Sequence, residues 1–398
     1  MDCQYFWQSI LPFQTMKLFK HSISLALLVL FASILLYACA KKGEPTKEEQ
    51  TDTNFKNRKE ILENVADNIV LPAYANFKVK LDAMVAKANV FTATPNAATL
   101  TDFRAAWVDA YVEWQKVELF DFGPAQTEAI RNYFNIYPAN EQGINNNIIA
   151  GATVNLEFSS AIATQGFPAI DYLINGLGAN DASILIYYTT ATDATKRIDY
   201  LKRLVTRMNT LFTKVNSDWT AYRTQFVSKT GTDASSSMAV MVNSYVLNYE
   251  RFIRSGKFGI PSGAMMNGVV AAEKVEAFYK KDISLALAKA AQQASIDFFN
   301  GKSVKTGTEG TSFKTYMDAL GAKDSKTGVK LSQVILDQFT TASSKVNLLA
   351  PNFYTEVISN NQKMIDVYTE MQKLVRLLKV DMTSAFSITI TYTDNDGD

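Results

Sequence analysis

Phe103, Trp107, Tyr111, Trp114 and Glu118 recur at intervals of four, four, three and four residues. That spacing puts all five on one face of an α-helix, whereas a strand would split them between two faces. The same period runs through most of the chain. Ile61, Val65 and Ile69, then Tyr74, Phe77, Leu81, Met84 and Val85, form an apolar stripe interrupted near Pro72. Ile198, Leu201, Val205, Met208, Phe212 and Val215 share a side within 197–222, and Met238, Met241, Val242, Tyr245, Tyr249 and Phe252 do so within 235–254. The stretch 271–299 is Ala-rich and free of Gly and Pro, and reads as one long helix; 331–344 and 354–378 complete the set. Only nine prolines occur in 398 residues. Strand-like alternation is confined to 387–392, which reads as a terminal extended segment. The expected fold class is therefore all-α. Large rings on a stripe are core material. Glu118 at the end of the aromatic stripe is different, because a carboxylate on an apolar face must be paired, ligated or at the rim.

Composition removes several functions. Lys and Arg number 40 against 39 Asp and Glu, so no basic footprint for nucleic acid exists. The single histidine is His21, and the two cysteines are Cys3 and Cys39. His21 lies in a segment expected to be removed. Histidine-ligated zinc, Ser-His-Asp triads, Cys-His dyads and histidine-ligated haem are thereby excluded.

That segment reads as an export signal. Lys17 and Lys20 precede an apolar run from Ile23 to Ala38, which is short for a spanning helix. The run closes Leu36-Tyr37-Ala38-Cys39, similar to the cleavage pattern of bacterial lipoproteins. This resemblance implies lipidation of Cys39. Met16 is the expected true start, because residues 1–15 have no place in such a signal. Cleavage removes Lys17, Lys20 and Asp2 and leaves the two signs of charge equal. Ala40 after the lipidated Cys favours outer-membrane anchoring, facing either the periplasm or the outside. The expected division is 1–38 signal, 39–55 lipidated Cys and polar tether, 56–228 and 229–386 two helical bundles, and 387–398 an extended acidic tail. The Asp394-Asn-Asp-Gly-Asp398 ending is too short for a calcium loop.

Three further stretches occur in order: Trp114-Gln-Lys-Val-Glu-Leu-Phe-Asp-Phe-Gly-Pro124, Gln165-Gly-Phe-Pro-Ala-Ile-Asp-Tyr-Leu-Ile174 and Arg254-Ser-Gly-Lys-Phe-Gly-Ile-Pro-Ser-Gly263. Together they resemble the imelysin family of bacterial envelope proteins, from about Asn57 to the end. The resemblance implies two packed helical bundles with a ligand site where they meet. It also implies a Gly-x-His-x-x-Glu motif, in which Gly166 is kept, Pro168 replaces His and Asp171 replaces Glu. Proline cannot ligate a metal, and at a helix start it serves as a first-turn residue. The metallopeptidase activity once assigned to some members therefore lacks its ligands here.

Iron is the one cofactor the resemblance suggests, and carboxylate and tyrosine oxygens would have to hold it. Asp171 and Glu118 are the candidate metal ligands, with Asp121 nearby in sequence. The candidate ligand-binding set is Glu118, Arg131, Gly166, Asp171, Arg254, Lys257 and Gly259. Arg131, Arg251, Arg254 and Lys257 could instead hold an anion, or form ion pairs with local acids such as Glu250. The expected function is a non-enzymatic envelope lipoprotein. It binds a small ligand or a metal between its halves, with membrane lipid as its partner through Cys39. A metallopeptidase-like hydrolase and an interaction module for an envelope transporter are the alternatives.

Overall fold

A computed structural model of the protein describes residues 53–393, and these are all-α. The expected signal, Cys39, most of the tether and the acidic ending from Asp394 lie outside the described residues. The first helix, α1 (Thr53–Asn64), already occupies the last part of the expected tether. It continues through a π-helical turn, Val65–Val70, into α2 (Leu71–Ala93). Pro72 thus sits at the start of α2 without breaking the rod. Proline leaves the carbonyl four residues back without its helical donor. Here the Asn68 carbonyl accepts instead from the Val304 N–H at 2.8 Å, which docks the turn 301–310 on the helix.

Helix α3 (Ala97–Trp114) opens on a capping box between Asn96 and Thr99 and packs along α2. Its aromatic stripe is buried as expected. Phe77 lies 5.4 Å from Trp114 and 4.5 Å from Phe212 between ring centres, and Tyr111 stacks on Phe167 at 4.5 Å. Phe212 belongs to α4 (Ala194–Ser228), which packs against α2. This helix runs six residues beyond the expected end, because Phe226 and Val227 are buried and carry the last turn into the core. Arg223, in this added length, pairs through two nitrogens with Asp67 in the π turn, at 2.7 and 2.6 Å.

The second half holds α5 (Ser237–Leu247), α6 (Ser284–Phe299), α7 (Leu331–Val346) and α8 (Phe353–Arg376). Helix α5 passes into a π-helical stretch, Asn248–Gly259, that packs against α8. Helix α6 contacts α3, and one apolar core runs without a gap from Ile61 to Ile388.

The expected long helix over 271–299 is overturned in its first half. Only Ser284–Phe299 is α-helical; a 3₁₀ turn (Ala272–Lys274) and irregular chain precede it. Ala277 and Lys281 adopt left-handed backbone conformations, with φ of 56° and 67°. Helix propensity is outweighed because Glu276, Tyr279 and Lys280 are bonded to other parts of the fold. The extended end is present as an unpaired segment. Asn243 holds it, donating to the Thr389 carbonyl at 3.0 Å and accepting from the Thr391 N–H at 2.7 Å.

Candidate functional site

The irregular strap 275–283 crosses the end of α3 and the short helix Gly166–Asp171, and it brings buried polar groups from four regions together. Lys257, on the π-helical stretch, is 1% exposed and pairs with Glu276, which is 2% exposed. The ammonium also donates to Gln115 Oε1 at 2.8 Å. Gln115 and Asn135 donate to Glu276 Oε1 at 3.0 and 2.8 Å. Asn135 donates again to Glu118 Oε1 at 3.1 Å and accepts from the Tyr111 hydroxyl at 2.5 Å. Glu118 therefore satisfies the demand that its place on the aromatic stripe imposed. Burial raises its pKa, and the facing Glu276 adds to that, while Lys257 opposes it. The Lys257 ammonium thus bonds Glu276 directly and acts on Glu118 through space.

The degenerate motif lies beside this network. Gly166 has φ of 78°, and a Cβ there would come 2.4 Å from the Phe134 carbonyl oxygen, so only glycine fits. Pro168 stands in the first turn of Gly166–Asp171. The helix ends on Asp171, whose carboxylate points at the strap. It accepts from the Tyr279 and Lys280 N–H groups at 3.1 and 3.0 Å and from Asn175 Nδ2 at 2.9 Å. Burial nevertheless pushes its pKa up to about 7. Above these contacts is a pocket of about 210 Å³. Its walls include Tyr137, Glu141, Pro168, Asp171, Glu273 and Tyr279. The Tyr279 hydroxyl donates to Glu141 at 2.5 Å. Burial and the charges of Glu276 and Glu118 hold the Tyr137 hydroxyl well above the usual tyrosine range.

The expected site residues divide into two neighbourhoods. Glu118 and Lys257 meet through the buried network, and Asp171 joins them through the strap. Arg131 touches its margin: it pairs with Asp121 at 3.1 Å, donates to the Glu118 carbonyl at 2.9 Å and lies over the Phe252 ring. Gly166 sets the chain direction into Asp171. Arg254 and Gly259 face α8 instead. Arg254 bonds Gln372 and Ser255 and lies over the Tyr368 ring, and a Cβ at Gly259 would meet that same ring at 2.8 Å. Arg251 reaches the Thr393 carbonyl at 2.7 Å. The cations considered for an anionic ligand are thus engaged by protein groups.

A metal does not fit Asp171 and Glu118. Their oxygens face separate donors, and among the described residues no three His, Cys, Asp or Glu side chains come together to hold an ion. Gln115, Asn135, Tyr137, Glu276 and Tyr279 stand outside the residues expected at the site. The one available signal was Glu276 beside apolar Val275 and Ala277, and helical periodicity does not mark it.

Apolar helices packed around a buried polar network, with a small pocket above a glycine-led helix start, define an all-α bundle protein with a polar junction. The imelysin family model matches residues 70–380, and the chain belongs to that family. Iron-regulated protein A of Synechococcus elongatus is 28% identical over 179 residues, which cover 44% of this chain and 46% of that protein. The chain thus spans about half the length of this curated relative. An imelysin-like protein of Psychrobacter arcticum superposes with a TM-score of 0.65 at 17% identity, covering 85% of this chain and 98% of its own. A Parabacteroides distasonis structure, described as an iron-regulated protein A precursor, gives 0.64 at 16%, covering 87% and 97%. At such identities these two structures establish the fold alone.

Proposed function

We propose that this imelysin-family protein is a non-catalytic binding protein and that its ligand occupies the pocket above Asp171. The observation that carries this reading is the pocket lining: Glu141, Asp171 and Glu273 supply acid groups, Tyr137, Phe278 and Tyr279 supply rings, and no Lys or Arg is among the lining residues. Carboxylates and ring faces, with no Lys or Arg in the lining and the Lys280 ammonium paired with Asp282, favour a small organic cation, such as an amine. Iron enters through the family resemblance and the names of the Synechococcus elongatus and Parabacteroides distasonis proteins, and the donor set argues for an organic ligand instead. A hydrolase would need a metal-bound water or a free carboxyl pair, while Asp171 is held by three N–H donors.

The binding domain would be held at the envelope by lipid on Cys39. Labelling with a clickable fatty acid checks this, and Cys39→Ser should abolish the label.

Native mass spectrometry tests the pocket. Protein incubated with a small-molecule cell extract should retain a cationic metabolite. Ala139→Trp, which fills a wall position, should lose it while keeping its circular dichroism spectrum. Equal retention by both proteins would move the site elsewhere. No retained molecule in either would remove the reading and leave an envelope protein partner as the function to test.

A further inference from the structure

The Ala-rich helix α6 lines a second cavity, apart from the pocket above Asp171. On α6, Ala290 and Ala294 face Ile69 and Ala73 across a groove of about 590 Å³, floored by Phe120 and Phe298. The Asn68–Val304 bond fixes the turn that closes one end, so Val304 forms a wall there although it is 40% exposed. Small side chains keep the groove open where larger ones would fill it. Its size falls within the roughly 300–1,000 Å³ of small-molecule sites. Lys116, Lys289 and Lys302 stand around the apolar floor. Lys116 pairs with Glu113 at 2.6 Å and Lys302 with Asp297 at 3.4 Å. Lys289 is exposed on the same helix and has no acidic partner among the described residues. The lining therefore combines an apolar trough with one positive charge left over.

We infer that this groove is a second ligand site, for an amphipathic monoanion with a medium-length apolar chain, whose body lies along Ala290, Ala294 and Phe298 and whose carboxylate meets Lys289. This site is separate from the pocket above Asp171 and does not depend on the function proposed there. Both bond types are within reach of one ligand: burial of methylenes along the floor and a charge-assisted hydrogen bond at the rim.

Titration calorimetry below the micelle concentration tests this with octanoate, decanoate, decanol and decyltrimethylammonium. Decanoate should bind saturably, and more tightly than octanoate by up to about fourfold per added methylene. Decanol should bind about tenfold more weakly, and the ammonium more weakly still. Lys289→Glu should cost decanoate about tenfold and leave decanol unchanged. Ala294→Trp should abolish both, with sedimentation and circular dichroism reporting an intact monomer. Absence of saturable decanoate binding would overturn the inference. So would decanol matching decanoate, preference for the ammonium, or unchanged binding by Ala294→Trp. A concentration-dependent dimer of the wild-type chain that Ala294→Trp dissolves would assign the groove to a second copy and overturn it as well.

Discussion

Lys257 and Asp171 set the energetics of the junction, each through burial. Lys257 compensates two carboxylates, Glu276 directly and Glu118 at longer range. Lys257→Met should therefore destabilise by about 3–5 kcal/mol, because it leaves buried charge unpaired. Lys257→Met with Glu276→Leu should recover much of that loss, and urea unfolding of the single and double variants measures both. Asp171 gives a pH signature. Its folded pKa of about 7 lies above the ordinary carboxylate value, so the folded chain holds a proton that the unfolded chain releases. Its contribution is fully present below the unfolded value and is lost as pH rises through 7. The stability difference between wild type and Asp171→Asn should fall between about pH 4 and 7, by at most about 4 kcal/mol, and stay level above. Urea midpoints across that range check the slope, and a rising difference would contradict the assignment. Gly166→Ala should cost more than about 1 kcal/mol, since neither the backbone angle nor the Phe134 carbonyl admits a Cβ.

At the scale of elements, irregular chain is fixed by side chains that imitate backbone partners. Asn243 pairs with the C-terminal segment as a neighbouring strand would, donating at one atom and accepting at the other. Asn243→Ala should detach residues 389–391. Hydrogen exchange at the Thr391 amide should lose its protection, and stability should fall by about 1–3 kcal/mol. Asp171 does the same for the strap by accepting two consecutive N–H groups. These contacts explain why elements departed from their sequence reading. The stretch 271–283 has helical composition, yet Glu276 has more to gain from Lys257, Gln115 and Asn135 than from a solvated helix face. The π turn before Pro72 is a related case, with a freed carbonyl satisfied by the Val304 amide rather than by a break in the rod. The aromatic stripe of α3 needed no such correction, because apolar periodicity depends only on spacing and burial.

Across the molecule, the apolar core is continuous from α1 to the C-terminal segment. One cooperative melt should therefore be seen for residues 53–398, with far- and near-ultraviolet circular dichroism coinciding. Two separated transitions would instead mark 56–228 and 229–386 as independently stable halves. The all-α class, the position of most helices and the family were legible in the chain, since each of these follows from local spacing or short ordered motifs. The same motifs placed Gly166, Asp171, Glu118 and Lys257 among the residues of interest. What these residues contact emerges only when distant segments pack together. Gln115 and Glu276 are 161 positions apart and Gln115 and Lys257 are 142 apart, so no local pattern encodes their meeting. Nothing local says that the carboxylate of Asp171 meets two strap N–H groups at the edge of a pocket; only the path of the strap sets that. Helical periodicity states which face must be dry. It does not state which buried polar group will find which partner once the dry faces close.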